Sequence, residues 1–215
     1  MSGFVIAVDG PAASGKGTIA QGLARLYGLP HLDTGLLYRA VGYAASQPPH
    51  TLADAALVAR QLTPAGLDHP ALRTQAVSEA ASRVAADPEV RAALLEFQRR
   101  FAADPLGAVL DGRDIGTVIA PHAHAKLFVT ASPEVRAERR WKQVQGQGES
   151  VTYAEVLADI LKRDERDSHR STAPLVRADD AALLDTTLMD ISQATDAARR
   201  IVEAARAKWA SVHES

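Results

Sequence analysis

Short apolar runs alternate along the chain with longer stretches in which apolar positions recur every three or four residues. The runs predict strands over Phe4–Asp9, His31–Asp33, Ala108–Asp111, Lys126–Thr130 and Ala182–Asp185. The helical spacing predicts helices near Lys16–Tyr27, Gly35–Ala45, Arg73–Ala86, Pro88–Phe101, Pro133–Gln145, Tyr153–Ser168 and Gln193–Ser211. Gly28 lies just past the first of these, where a helix commonly stops. Ser132-Pro133 reads as an N-cap followed by proline at the first helical position, and Thr152-x-x-Glu155 as a capping box. Strands that alternate with helices imply an α/β fold, a five-stranded parallel sheet flanked by helices on both faces.

Two stretches break this alternation. Ser46 to Asp68 is rich in proline, alanine and small polar residues, which fits an inserted helical flap. Gln145-Gly-Gln-Gly-Glu-Ser150 joins two predicted helices with polar and glycine residues. It reads either as the hinge of a closing lid or as a plain helix–helix turn.

At 215 residues the chain is one domain, or one domain with an insertion. Its 47% hydrophobic and 23% charged residues are ordinary for a soluble globular protein, and a net charge of −2 makes no case for a nucleic-acid polymer or a membrane surface. The absence of cysteine removes disulfide and thiolate chemistry and fits a cytoplasmic location. Phe4–Val8 is too short for a signal peptide, and there is no apolar run of about 18 residues. Arginine outnumbers lysine 19 to five. Arginine grips carboxylates and phosphates with a planar fork, although a codon bias would also raise its count.

The chemistry begins where the first strand ends. Val8 to Thr18 reads VDGPAASGKGT. Backbone N–H groups left bare by Gly10, Gly15 and Gly17 wrap an anion, the following helix N-terminus adds partial positive charge, and Lys16 reaches the outer phosphates. The general motif has Ser or Thr directly after the lysine, whereas here Gly17 intervenes before Thr18.

Further candidates collect at the carboxyl edge of the sheet, where parallel sheets bind ligands. His31-Leu-Asp-Thr-Gly-Leu-Leu-Tyr-Arg39 offers Thr34, Tyr38 and Arg39 there, although Thr34 equally suits a helix cap and Tyr38 a place in the core. Val109-Leu-Asp-Gly-Arg-Asp114 offers Asp111, the kind of strand-end carboxylate that orients magnesium, followed by Arg113 and Asp114. Arg136, Arg139 and Arg140 share a helix face before the polar hinge, and Arg163, Asp167 and Arg170 share one after it. Clustered arginines repel one another unless anions collect between them. His122 and His124 have no third ligand nearby and predict no metal site.

With those residues in view, the chain resembles the bacterial cytidylate kinase family, small P-loop nucleoside monophosphate kinases. The matching segments are IAVDGPAASGKGT, LDTGLLYR, VLDGRDIGTV and RDERDSHRSTAPLVRADDAALLDTT, in the family's order from residue 5 to about 187. GKGT is the family's own form of the loop, so the intervening Gly17 becomes support. The resemblance implies a P-loop kinase that moves the γ-phosphoryl of ATP onto CMP or dCMP with magnesium. Gly10, Pro11, Ala12, Ala13, Ser14, Gly15, Lys16, Gly17 and Thr18 then look like the ATP phosphate loop, with Thr18 and Asp111 as the magnesium ligands. Thr34, Arg39 and Arg113 look like contacts to the acceptor phosphate, with Tyr38 beside them. Ser82, Arg91 and Asp114 look like the residues that meet cytosine. Arg163 and Asp167 resemble the pair that holds the acceptor ribose, Arg170 a bridge between the nucleotides, and Arg139 and Arg140 the lid arginines. Lys16, Arg113, Arg139, Arg140 and Arg170 are thus the expected catalytic set.

By the same resemblance, residues 1–45, 104–135 and 171–215 form the core, 46–103 the acceptor-binding insertion and 136–170 a lid. Many family members carry extra strands in the insertion. Gln61 to Gln75 is too short and too interrupted by proline to hold them, so the insertion is expected to be reduced and helical. A monomer is expected. Two other readings stay open on the residues: another small-molecule P-loop kinase, and a non-enzymatic nucleotide switch, which would need a base-reading sequence of the NKxD type that the chain lacks.

Overall fold

A computed structural model describes residues 3–67, 69–148 and 150–213. Five strands, β1 (Val5–Asp9), β2 (His31–Asp33), β3 (Ala108–Gly112), β4 (Ala125–Thr130) and β5 (Ala182–Asp185), form one sheet in the order β2-β3-β1-β4-β5. Every pairing is parallel, as the alternation of strands and helices predicts. β1 is central and buried along its whole length, which explains why its residues are apolar on both faces. Val5 and Ala7 pack to one side of the sheet with Leu37, Val41, Leu94 and Leu110. Ile6 and Val8 pack to the other with Ile19, Leu23, Leu127, Ala198 and Val202.

The helices are α1 (Lys16–Tyr27), α2 (Thr34–Ala44), α3 (Ala55–Arg60), α4 (Gln75–Val84), α5 (Pro88–Ala102), α6 (Pro133–Gly146), α7 (Tyr153–His169) and α8 (Ile191–His213). Their starts follow from local chemistry. Asp87 accepts from the Glu89 N–H at 2.8 Å and Ser132 from the Val135 N–H at 3.3 Å, each with proline at the first helical position. Thr152 and Glu155 form the predicted capping box.

The stretch between β2 and β3 is helical, and no strand lies there among the described residues. The predicted flap of residues 46–68 holds α3, a six-residue helix, flanked by 3₁₀ turns at Leu52–Asp54 and Pro64–Leu67. Its last residue, Asp68, lies outside the described residues. A π-helical turn over Ile115–Ile119, absent from the sequence reading, follows β3.

α6 and α7 pack on each other around their own small core of Ala137, Val144, Val156 and Ile160, with Trp141 and Tyr153 alongside. Trp141 Nε1 donates to the Val151 carbonyl at 3.0 Å across the segment of residues 145–150, of which Glu149 lies outside the described residues. That segment is the tip of a helical hairpin. Bending there would separate two packed helices, so it is poorly placed as a hinge.

Candidate active site

Parallel strands place their carboxyl ends along one edge, and at β1 the winding changes side: the chain leaves β1 for β2 on one side and later crosses from β3 to β4 on the other. A cavity of about 880 Å³ opens at this edge, between the loop after β1, the ends of β2, β3 and β5, and helices α4, α6 and α7.

The loop after β1 is shaped for an anion. Gly10 has φ 152°, and a Cβ there would run into the Val129 carbonyl. Ala13 and Gly15 take left-handed conformations at φ 58° and 88°. Gly15 caps α1 without any side-chain acceptor, so the first N–H groups of the helix stay open. The Ser14 hydroxyl is fully buried and has no partner. Lys16 lies half-buried at the mouth of the helix, and its ammonium donates to the Pro11 carbonyl at 3.3 Å. Burial, with Arg113 nearby, pushes Lys16 down to about 7 against the pull of Asp111 and Asp33. The exposed Thr18 stands in the first turn of α1.

Asp33 and Asp111 pair in register across β2 and β3. Burial and the adjacent Asp111 raise the Asp33 carboxyl above its ordinary value. Asp111 is buried, and its Oδ2 lies 2.9 Å from His31 Nε2. Thr34 does not turn its hydroxyl into the cleft; it donates to the Asp111 carbonyl oxygen at 2.8 Å. Arg39 lines the cavity and its guanidinium makes no hydrogen bond among the described residues.

The far end of the cavity is a buried lattice of arginines and carboxylates. Arg91 donates to Asp114 Oδ2 and to the Ala85 carbonyl at 3.3 Å, and stands 5.5 Å above the Tyr38 ring. Arg113 Nε donates to Asp167 Oδ2 at 2.7 Å, with Arg163 Nε 3.9 Å from the same oxygen. Arg170 lies 3.8 Å from Asp114 Oδ1 and 4.0 Å from Asp167 Oδ1, which joins the two carboxylates into one network. Burial alone would raise the Asp167 carboxyl, but Arg113, Arg163 and Arg170 hold it below its ordinary range. Burial and Arg113 push Arg163 down to about 9, which leaves it charged at neutral pH. Two buried guanidinium nitrogens, Arg163 Nε and Arg170 Nη2, have no hydrogen-bond acceptor, although other nitrogens of the same groups donate to Ser78 and to the Ala173 carbonyl. Such donors are costly to leave unmade.

The arginines of α6 diverge. Arg139 donates to the Thr186 hydroxyl at 3.0 Å and carbonyl at 2.7 Å, beside the phosphate loop. Arg140 donates to Gln75 Oε1 at 2.9 Å on α4. Arg136, on the same helix face, is buried in structural bonds. It donates to Asp164 Oδ1 and Oδ2 at 3.0 and 2.6 Å, to Ala131 O at 2.9 Å and to the loop's Ala12 O at 3.3 Å. Ser82 sits at the cavity wall, but its hydroxyl is taken by Arg166 at 2.7 Å.

Sequence reasoning named Ser82 but passed over Gln75, Ser78 and Glu79, which share its polar stripe on α4. Arg163 reaches Ser78 at 2.8 Å, and Arg166 also reaches Glu79 at 3.1 Å. The i, i+3, i+4, i+7 spacing was a legible signal of one polar helix face. Asp9 was passed over as well. It is buried, accepts from the Ile115 and Gly116 N–H groups at 2.8 and 2.7 Å, and is pushed up to about 6 by burial.

Among known proteins, the chain matches the family model described as Cytidylate kinase over residues 6–204. It is 64% identical over 209 residues to the cytidylate kinase of Caulobacter sp. (strain K31), covering 96% of this chain and 97% of that one. It is 67% identical over 206 residues to that of Xanthobacter autotrophicus, covering 95% and 99%. Two solved structures share the fold. An uncharacterized protein from Eubacterium ventriosum has a TM-score of 0.55 at 15% identity, covering 94% of this chain and 98% of that one. A gluconokinase from Sinorhizobium meliloti has a TM-score of 0.50 at 16% identity, covering 99% and 97%. At such identities these two speak for the architecture alone. The family match and the close relatives, each spanning nearly the whole chain, place it in the cytidylate kinase family.

Proposed function

We propose that the protein transfers the γ-phosphoryl group of ATP to CMP or dCMP, giving ADP and CDP or dCDP. The observation that carries this reading is one cavity lined both by an open anion-shaped loop and by Arg163 and Arg170, each of which keeps a buried N–H without a hydrogen-bond acceptor. Phosphoryl transfer between two nucleotides asks for two anions held in line and their charge neutralised. The loop of Gly10 to Thr18 holds the donor phosphates, and Lys16 stabilises the charge that develops on the transferred group. Arg39 and Arg113 grip the acceptor phosphate, Arg170 spans the two nucleotides, and Arg139 and Arg140 come over them from α6. Residues 136–170 act as the lid that excludes water, residues 46–103 as the acceptor-binding insertion, and the rest as the core.

The acceptor base is read by Asp114. Its Oδ2 is occupied by Arg91, which leaves Oδ1 to accept from the exocyclic amino group of cytosine. Uracil presents an oxygen there and would face an unpaired carboxylate. Tyr38 supports Arg91 from below, Ser82 walls the base site, and Asp167 with Arg163 holds the ribose.

Magnesium suits the donors beside the loop. Asp111 and the Thr18 hydroxyl are hard oxygen ligands, with Asp33 adjacent. Among the described residues no cluster of carboxylates and histidines forms a cage, as fits an ion held largely by substrate phosphates. Bound there, it would neutralise charge on the donor's β- and γ-phosphates.

The test is ADP release with a panel of CMP, dCMP, UMP, AMP, GMP, dTMP, shikimate and gluconate at fixed ATP and magnesium. CMP and dCMP are expected to exceed UMP by tens of fold or more. AMP or a non-nucleotide acceptor winning the panel would overturn the reading.

A further inference from the structure

Asp9 ends the central strand, and it is held in the ladder on both sides, opposite Gly112 on β3 and Phe128 on β4. The next residue, Gly10, opens the phosphate loop, and a Cβ there would lie 2.0 Å from the Val129 carbonyl oxygen, so no side chain fits at this turn. Asp9 is therefore a rigid reference point for the donor side of the cleft.

Its carboxylate reaches the turn after β3. Oδ1 accepts the Ile115 N–H at 2.8 Å and Oδ2 the Gly116 N–H at 2.7 Å. These two N–H groups open the π-helical turn that directly follows Arg113 and Asp114. The turn in turn holds Asp114, whose carbonyl oxygen accepts from the Val118 and Ile119 N–H groups at 2.9 and 3.2 Å. A chain of short bonds thus runs from the foot of the donor loop to the two acceptor-side residues.

The choice of residues is specific to this task. Two adjacent N–H donors need two acceptor oxygens, which aspartate has; asparagine has one, and its amide nitrogen would meet a donor. Gly116 leaves room for the contact, since a Cβ there would lie 3.3 Å from Asp9 Oδ2 and 3.2 Å from Lys126 Cδ. Retaining a carboxylate in a site where burial already weakens its ionisation points to a need for both oxygens.

We propose that Asp9 is a positioning residue for the acceptor: it ties the Arg113–Asp114 corner to the phosphate loop, so that the acceptor phosphate meets the donor in line. The inference rests on the function proposed above. Small misplacements of reacting groups are expensive in rate, so an anchor shared by both sites is where alignment would be set.

The experiment compares the full-length protein with Asp9→Asn and Gly116→Ala, measuring KM and kcat for each substrate with the other saturating, and kcat/KM for CMP against UMP. Both variants are expected to raise KM for CMP about tenfold, lower kcat, narrow the preference for CMP over UMP, and leave KM for ATP within about twofold. If Asp9→Asn does not fold, Gly116→Ala, which keeps the carboxylate and crowds its contact, decides the question. Equal changes in the two KM values, or an unchanged KM for CMP, would overturn the anchor. The wild-type acceptor panel separates the two ideas: an enzyme that prefers CMP and shows no KM split refutes only the anchor, whereas one that does not prefer CMP refutes the function.

Discussion

Lys16 should bind ATP with the uptake of a proton. Burial and Arg113 bring its ammonium down to about 7 in the ligand-free protein. At pH 8 it is then protonated in about one molecule in ten, whereas beside bound phosphates it returns toward the ordinary lysine value of about 10.4. Binding at pH 8 should therefore take up most of a proton per site, and affinity should fall by up to about tenfold for each pH unit above 7. At pH 8 the terminal phosphate is already fully ionised, so the nucleotide supplies no proton of its own. Titration calorimetry in Tris and in HEPES, which differ in ionisation enthalpy, reads the uptake directly. The sign for stability is opposite to that of a paired lysine. The unfolded chain keeps the proton up to about pH 10 and the folded chain releases it near 7, so stability rises with pH across that window. Lys16→Met should consequently abolish transfer yet stabilise the ligand-free protein by about 1–2 kcal/mol, a modest figure because the cleft admits water. That corresponds to a Tm higher by about 2–6 °C in calorimetry. Binding heats that do not depend on the buffer, or proton uptake that survives in Lys16→Met, would refute the reasoning.

Other substitutions test the remaining parts of the site. Asp114→Asn keeps the shape but can offer a donor to the uracil oxygen, so kcat/KM for CMP over UMP should fall about tenfold or more; an unchanged ratio would remove Asp114 from base recognition. Arg136→Ala strips Asp164 and two carbonyl oxygens of their buried partner. It should cost about 2–4 kcal/mol, discounted because Asp164 is partly exposed, and lower Tm by about 5–10 °C; a shift within about 1 °C would show the bonds to be inert. Asp111→Asn should raise the magnesium concentration for half-maximal rate, measured by titration at fixed ATP, and an unchanged midpoint would place the ion elsewhere.

Several of these features could be read in the sequence because their causes are local. The phosphate loop declares itself through glycines where the backbone turns left-handed or approaches a neighbour, at Gly10 and Gly15. Strands and long helices show in their periodicity, and the starts of α5, α6 and α7 in proline and capping residues. The six residues of α3 are too few for a period to emerge, and the π-helical turn IGTVI looks like one more apolar run.

Partner choice was decided only in three dimensions. Helical geometry puts Arg139 and Arg140 about 60° and 40° to either side of Arg136, so the three do share a face. The packing of α6 against α7 then directs the middle one inward to Asp164 and the outer two to Thr186 and Gln75. Likewise nothing in spacing says that Arg166 rather than Arg163 reaches Ser82, since that depends on how α7 lies against α4. Asp9 was read as the end of a strand, and became an anchor only when the turn after β3 folded back over it. Local sterics and periodicity are carried by neighbouring residues and are written once in the chain. With 19 arginines and 26 acidic side chains many ion pairs are chemically equivalent, and strand register and helix packing select among them.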